Sequence, residues 1–355
     1  MINFSVGDFK VAIIRGTNAG DARTGTALAD RIYGLLGADT LRGAGGNDYL
    51  SGDGGNDTLY GDAGDDELHG GQGADRLEGG DGDDFLFGGL DTVQDALIGG
   101  AGDDVVAVGA LDRADGGTGL DTLVIGGVYD LGEYNEDGVK YNIDLTKIDG
   151  ATSVATGYKG SYARNFERAE IYVGDALGGS KITGTTGDDV ISVSTVFNGT
   201  GFGGVVIRGG NGNDEITGGA GDDLIFGDAG DDILSGGYGS DKIYGGAGSD
   251  LFRLSLTEFD GPDIYYGVTA DDAFLIDLEG IGYQNLDIAR AIDRDNPVVS
   301  ARNPVVSSDN PQFLYNTRTG ALSFDADGIG GEAAFIVGYL DGKPALTDAQ
   351  FLFDL

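Results

Sequence analysis

Aspartates recur nine residues apart along two stretches of this sequence, and a large apolar residue stands two positions after each of them. Carboxylates at a fixed spacing, in a chain with no cysteine and a single histidine, are the oxygen ligands that hard cations prefer. The pattern therefore predicts metal coordination by Asp30, Asp39, Asp48, Asp57, Asp66, Asp75, Asp84, Asp104, Asp121, Asp189, Asp214, Asp223, Asp232, Asp241 and Asp250.

Calcium is the cation that this ligand set favours. It accepts roughly 6–8 oxygen ligands in flexible geometry, whereas magnesium demands a tighter octahedron and gives up its waters reluctantly. Pairs of aspartates 18 residues apart in unbroken register predict about eight or more ions, at Asp30/Asp48, Asp39/Asp57, Asp48/Asp66, Asp57/Asp75, Asp66/Asp84, Asp214/Asp232, Asp223/Asp241 and Asp232/Asp250. With 60 acidic against 21 basic residues and a net charge of −39, the folded chain also needs cations to offset its own repulsion.

The element that must position these carboxylates is the nine-residue unit Gly-Gly-x-Gly-x-Asp-x-U-x, in which U is the apolar residue. Its first six residues have turn composition and its last three form a minimal strand. Glycines at positions one, two and four predict positive φ angles that bring carbonyl oxygens toward the carboxylates. Two units make one coil, and coils add parallel strands about 4.8 Å apart. The expected fold is all-β, a parallel β-roll or β-solenoid.

Repeat spacing and composition divide the chain into five segments. The register slips at Gly88 to Ile98 and at Val193 to Arg208. Short β-branched stretches between the repeat blocks predict strands that continue or cap the roll. The expected organisation is an N-terminal cap at 1–24, a first block at 25–124, a β-rich bridging segment at 125–183, a second block at 184–253, and a C-terminal cap with a secretion region at 254–355.

Several functional classes are disfavoured. The basic residues form no cluster that would bind a nucleic-acid phosphate backbone, and no apolar run is long enough for a transmembrane segment. No N-terminal signal peptide is visible. His69 cannot supply a His-Glu-x-x-His motif and is expected on the surface, and Gly-x-Ser-x-Gly does not occur. The string Asp325 to Gly328 is expected to form a turn, since Ile336 stands where an EF-hand needs Glu.

The repeat units resemble those of the RTX family, the calcium-binding repeats of hemolysin-type toxins, secreted metalloproteases, lipases and alginate epimerases. The resemblance implies that each ion lies between turns on one edge of the roll, held by the repeat Asp and by carbonyls of the glycine turns. Residues 250–278 are similar to the segment that closes many RTX rolls. Residues 313–328 and 344–355 resemble the uncleaved type I secretion region of such proteins.

The resemblance implies secretion through an ABC exporter and folding outside the cell in calcium. We expect an extracellular, non-enzymatic protein of the cell surface or matrix, or an adhesive module whose partner is a surface glycan or another cell-surface component. The alternative is an extracellular enzyme that acts on polysaccharide through residues 125–183, where paired carboxylates could perform acid/base catalysis. Ice binding needs a regular outward row of Thr or Asn, and position five, from Ala38 to Asp83, does not provide one.

Overall fold

A computed structural model describes residues 11–125, 142–145, 154–155, 161–174, 180–194, 204–255, 261–277, 298–302, 304–305, 310–325 and 333–353. These residues form β-strands and one short 3-10 helix, Asp348–Gln350, with no α-helix among them. The all-β expectation is therefore confirmed for the described chain. No described helix is long and apolar enough to cross a membrane.

The strands follow one another at short intervals. The first sixteen are β1 (Ile13–Arg15), β2 (Ala22–Thr24), β3 (Arg31–Tyr33), β4 (Thr40–Arg42), β5 (Tyr49–Gly54), β6 (Thr58–Ala63), β7 (Glu67–Gln72), β8 (Arg76–Asp81), β9 (Phe85–Phe87), β10 (Ala96–Ala101), β11 (Val105–Val108), β12 (Arg113–Thr118), β13 (Thr122–Ile125), β14 (Asn142–Asp144), β15 (Val154–Ala155) and β16 (Tyr162–Arg164). The others are β17 (Arg168–Gly174), β18 (Lys181–Thr183), β19 (Val190–Ser194), β20 (Val206–Asn211), β21 (Glu215–Thr217), β22 (Leu224–Ala229), β23 (Ile233–Ser235), β24 (Lys242–Ala247), β25 (Leu251–Ser255), β26 (Asp263–Tyr266), β27 (Ala273–Asp277), β28 (Val298–Ala301), β29 (Gln312–Asn316), β30 (Ala321–Asp325), β31 (Phe335–Leu340) and β32 (Phe351–Phe353).

Contacts divide the chain into two compact units. The first comprises Met1–Glu133 and Lys147–Glu170, and the second comprises Tyr134–Thr146 and Ile171–Leu355. Residues 125–183, predicted as one bridging segment, thus contribute to both units. Their described strands do extend the sheets, since β16 pairs in parallel with β12 and β14 pairs in parallel with β18.

In the first unit, alternate strands enter two different sheets. One runs in the order β1-β3-β5-β7-β9-β11-β13 and the other in the order β15-β16-β12-β10-β8-β6-β4-β2. Tyr49 pairs with Glu67 and Thr58 pairs with Arg76, so each 18-residue coil adds one parallel strand to each sheet. This is the predicted parallel β-roll.

The second unit repeats this alternation and also contains three antiparallel strands near its C-terminal end. Its sheets have the orders β19-β21-β23-β25-β27-β32 and β14-β18-β20-β22-β24-β26-β31-β30-β29-β28. Strands β29, β30 and β31 pair antiparallel. Phe313 packs against Phe324 and Phe351 at ring-centroid distances of 4.9 and 5.3 Å. The C-terminal region thus has a conventional aromatic core where the nonapeptide repeat has ended.

A single column of apolar side chains fills each sheet's inner face. The residue two positions after each repeat Asp points inward because side chains alternate along a strand. These residues are 0% exposed in the unbroken runs: Ile32, Leu41, Leu50, Leu59, Leu68, Leu77, Leu86, Ile216, Ile225, Leu234, Ile243 and Phe252.

Strands β5 to β8 are longer than the sequence predicts. Each spans six residues instead of three, because the strand continues through the first three positions of the next unit. Positive φ angles occur at positions two and four, as at Asp62 and Gly64, but not at position one. The expectation for position one is therefore wrong, and the glycine there has a different cause, described below.

Residues 11–24, predicted as a cap, form β1 and β2. Strand β2 ends its sheet and places Arg23 opposite Leu41, in the apolar column. The Arg23 guanidinium pairs with Asp21 Oδ1 at 2.8 Å and donates to the Ala22 carbonyl at 3.0 Å. A charged side chain at an inward position of the last strand disfavours pairing with another chain at this edge.

Truncation of the apolar column tests this account of the core. Leu59→Ala should lower the free energy of unfolding in calcium by about 2–5 kcal/mol, because it removes a fully buried side chain and leaves a cavity. Thr58→Ala, on the half-buried outward face of the same strand, should change it by less than about 0.5 kcal/mol. Denaturant unfolding would measure both, and equal effects would contradict a single-column core.

Candidate calcium sites

The repeat aspartates lie on the edges of the roll, each immediately before a strand, and all fifteen predicted ligands are buried. In most of them one carboxylate oxygen, Oδ1, accepts a hydrogen bond from the backbone N–H of the Asp one coil earlier. Asp48 Oδ1 accepts from Asp30 at 2.6 Å and Asp66 Oδ1 accepts from Asp48 at 2.7 Å. In the second unit Asp232 accepts from Asp214 at 2.8 Å. The 18-residue stacking predicted from the spacing is thus present.

The other carboxylate oxygen, Oδ2, is the unusual atom of the edge. It is buried and has no hydrogen-bond partner in Asp39, Asp48, Asp57, Asp66, Asp75, Asp84, Asp104, Asp121, Asp214, Asp223 and Asp232. Buried polar atoms are nearly always satisfied, and an orphan in a folded protein calls for an explanation such as an ion. Here the same orphan repeats coil after coil.

A backbone carbonyl accompanies each of these oxygens. A Cβ atom built on Gly61 would meet both Asp66 Oδ2 and, at 2.6 Å, the carbonyl oxygen of Gly79 in the next coil. On Gly52 it would meet Asp57 Oδ2 and the carbonyl of Gly70 at 2.6 Å. The glycine at position one is therefore required because oxygens approach its Cα closely, not because its φ is positive.

The arrangement fits calcium and not a metal held by side chains alone. Among the described residues, no group of three or more His, Cys, Asp or Glu side chains could hold a metal ion. An ion at this edge must take most of its ligands from backbone carbonyls together with one or two carboxylates. Calcium accepts such a mixed oxygen set, whereas a structural zinc site needs four side-chain ligands.

The carboxyl groups are electrostatically unfavourable without a cation. Burial raises the pKa to about 6 in Asp48, Asp75, Asp121 and Asp250, to about 7 in Asp57, Asp66, Asp84, Asp95, Asp104 and Asp232, and to about 8 in Asp214 and Asp223. Carboxylates of neighbouring coils raise it further, as Asp75 and Asp39 do for Asp57, while the backbone hydrogen bond lowers it. A divalent cation beside these carboxylates would lower their pKa values and favour the charged form.

Two of the predicted ligands differ from the others. Asp30 Oδ2 accepts a hydrogen bond from the Thr26 amide at 2.6 Å, and Asp189 Oδ2 accepts one from the Thr185 amide at 2.6 Å. The pKa of Asp30 is consequently below its ordinary value, since hydrogen bonds from the Ala12 and Thr26 amides outweigh the effect of burial. At these two positions neither oxygen is left unsatisfied.

The nine-residue period did not identify three further aspartates of the same edge rows. Asp112 Oδ1 accepts from the Asp95 amide at 3.0 Å, while Asp263 and Asp272 accept from Asp241 and Asp250, each at 2.9 Å. These partners are 17 or 22 residues apart instead of 18, because loops of other lengths separate the strands. The signal that would have identified them is an Asp two positions before a buried apolar residue, here Ala114, Tyr265 and Phe274.

The fold and the edge geometry define the class of the protein, a parallel β-roll of short tandem repeats with a carboxylate row on each edge. The family model of the RTX calcium-binding nonapeptide repeat (4 copies) matches residues 24–59, 60–92, 94–112, 200–234 and 226–254. These stretches therefore carry RTX nonapeptide repeats of the calcium-binding kind. No curated protein matches the sequence.

The pKa values predict how pH acts on the calcium-free roll. An unfolded Asp titrates near pKa 3.9, whereas the edge carboxyls named above with a raised pKa titrate at about 6 to 8 in the folded chain, so the folded state holds more protons between these values. Its stability therefore falls as pH rises through this range. In chelator, circular dichroism should show more β-structure at pH 5 than at pH 8.5, whereas in calcium the fold should persist at pH 8.5. Equal spectra in chelator at the two pH values would contradict this account.

Proposed function

We propose that this chain is a secreted calcium-binding protein that folds when it meets extracellular calcium and then acts, without catalysis, as a cell-surface, matrix or adhesive binding protein. The observation that carries the calcium-folding proposal is the row of buried Oδ2 atoms without partners. We propose the repeat aspartates as the side-chain ligands and the position-one glycine carbonyls as additional ligands. Bound calcium would supply the positive charge that these buried oxygens lack.

The charge of the whole chain supports folding by calcium. A net charge of −39 opposes compaction at low calcium, and buried carboxylates add a desolvation penalty at every coil. An ion that binds only the folded state contributes its binding free energy to folding. Extracellular calcium-binding modules have dissociation constants of roughly 10⁻⁴–10⁻³ M, which lie near the calcium concentration outside cells and far above that of the cytosol.

A calcium titration tests the folding proposal. Circular dichroism of the chelated chain at pH 7.5 should report a disordered polypeptide, and β-structure should appear cooperatively at a calcium concentration on the order of 10⁻⁴–10⁻³ M. Magnesium at the same concentrations is the control cation, and it should induce much less structure because it resists dehydration. A β spectrum that chelator leaves unchanged would refute the proposal.

Secretion by a type I ABC exporter is the export route that we propose. It rests on the resemblance of residues 313–328 and 344–355 to type I secretion regions, and residues 326–328 and 354–355 lie outside the described chain. A polypeptide that stays unfolded at cytosolic calcium suits export as an extended chain. Calcium outside would then fold it after passage.

The outward faces of the strands support a binding role. On one sheet of the first unit Tyr33, Tyr49, His69 and Phe85 form an aromatic row, with ring centroids of successive members 5.3 to 5.9 Å apart. The Arg15 guanidinium lies over Tyr33 at 5.1 Å. His69, expected on the surface, is a half-buried member of this row and contacts Glu67 Oε1 at 2.7 Å. Aromatic residues and Arg are enriched in binding interfaces, and rings with an apolar body and a polar tip suit glycans as well as proteins.

The enzymatic alternative has less support. It was placed in residues 125–183, and most of that segment lies outside the described residues. Within the described part, Glu167 Oε2 accepts a hydrogen bond from the Asp121 amide at 3.0 Å. Asn165 and Arg164 both engage Asp115 of the neighbouring strand β12, Asn165 at 2.7 Å. We therefore propose the binding role as the principal one.

Substitution in the aromatic row tests the binding role. Tyr49→Ala should weaken binding to a panel of bacterial surface polysaccharides, or to the surface of the producing cells, by roughly 5- to 30-fold, the loss typical of an interface aromatic. Thr40→Ala, an exposed substitution on the other sheet, is the matched control and should bind normally. Equal affinities of the two variants and the unmodified chain would exclude this row as the binding surface.

A further inference from the structure

Most edge carboxylates belong to one of two structural classes, defined by what their Oδ2 atom contacts. In eleven of them Oδ2 has no hydrogen-bond partner, as described above. Five accept a hydrogen bond from a backbone amide three or four residues earlier: Asp21 from Thr17 at 2.5 Å, Asp30 from Thr26 at 2.6 Å, Asp112 from Gly109 at 2.7 Å, Asp189 from Thr185 at 2.6 Å, and Asp272 from Thr269 at 2.7 Å.

The backbone at position two of the repeat separates the classes. In all eleven units with an unpartnered Oδ2 this residue has a positive φ: Leu35, Ala44, Asp53, Asp62, Gly71, Gly80, Gly100, Gly117, Gly210, Gly219 and Asp228. None of the five amide donors has a positive φ. The orientation of one peptide group thus decides whether the carboxylate is satisfied by the chain itself.

Residue type explains the orientation. Threonine is β-branched, and a positive φ is a marked outlier for such residues. With threonine at position two the chain keeps a negative φ and its N–H points at the carboxylate. The hydroxyl adds a second bond at Thr17 and Thr185, which donate to Asp21 and Asp189 at 2.8 Å. Glycine, Asp, Ala or Leu at this position accepts the positive φ instead.

The space around the two classes is otherwise the same. A Cβ on Gly25, in a threonine-capped unit, would meet Asp30 Oδ2 at 2.8 Å and the Gly43 carbonyl at 2.5 Å. The corresponding atoms around Gly43, in an uncapped unit, are Asp48 Oδ2 and the Gly61 carbonyl at 2.6 Å. A neighbouring coil with its carbonyl is therefore present in both, and the position-two amide is the difference.

We propose that a threonine at position two of the repeat replaces a calcium ion with a backbone cap, so that the units of Asp21, Asp30 and Asp189 fold without an ion of their own. Before Asp112 and Asp272 an amide three residues earlier makes the same cap. This inference rests on the proposed calcium binding and specifies which units take part in it. It removes Asp30 and Asp189 from the expected ligands.

The threonine-capped units stand at the start of the two series of repeats. Gly16 and Gly25 open the first series of repeats, and Gly184 opens the second; each is followed by threonine. Each series therefore begins with a turn that satisfies its own carboxylate.

Counting the bound calcium of matched variants tests this inference. Equilibrium dialysis with elemental analysis, on chains shown by circular dichroism to be folded in saturating calcium, would give the number of ions per chain. Asp30→Asn and Asp189→Asn should bind as many ions as the unmodified chain, whereas Asp57→Asn and Asp232→Asn should each bind at least one fewer. Equal losses in the two pairs would overturn the inference.

A second pair of variants changes the residue at position two of the repeat and keeps every carboxylate. Ala44→Thr should lose one ion because threonine disfavours the φ of +84° found there, while Ala44→Gly, which accepts that φ, should lose none. An unchanged ion count in folded Ala44→Thr would count against the inference, and if this variant does not fold, the aspartate pairs still decide. Failure of the unmodified chain to bind any calcium would instead refute the proposed function itself.

Discussion

A buried carboxylate oxygen that the chain leaves without a partner is the constraint on which the rest of this structure depends. One such atom costs stability, and here it recurs in eleven units. The apolar column between the sheets supplies only one fully buried side chain per nine residues, against an ordering cost of about 1.5 kcal/mol per residue. A roll of this kind therefore needs a stabilising interaction at its edges, and oxygens that converge beside the position-one glycines provide the place for it.

Glycine fulfils two separate requirements in each turn. At position one the reason is space, because Asp66 Oδ2 and the Gly79 carbonyl approach the Cα of Gly61 too closely for a side chain. At position four it is conformation, as at Gly64 with φ of +124°. Position two also has a positive φ in the uncapped units, where Asp53 and Asp62 adopt it as well as glycine. A composition count cannot distinguish these demands, although they respond differently to substitution.

The period of nine was sufficient to predict the architecture, the stacked aspartates and the inward apolar residues, because each depends on spacing alone. It failed where the chain keeps a coil but changes its length, as at Asp112 and Asp263, whose partners lie 17 and 22 residues away. It also missed the coil before Gly25, because Arg23 replaces the aliphatic residue at the inward position. The cap at Asp30 depends on the orientation of a single peptide, which spacing does not encode.

The edges and the strand faces of the roll carry different residue types, and this difference bears on function. The acidic residues that give the chain its charge of −39 are concentrated at the turns, where they face one another across coils. The strand faces carry arginine beside aromatic rings, as with Arg42 over Tyr60 at 4.1 Å and Arg208 over Phe226 at 3.9 Å. Once cations neutralise the edges, a partner that contacts a face meets guanidinium groups and aromatic rings together with fewer carboxylates, such as Glu67. The net charge therefore reports what the edges bind and is a poor guide to what the faces bind.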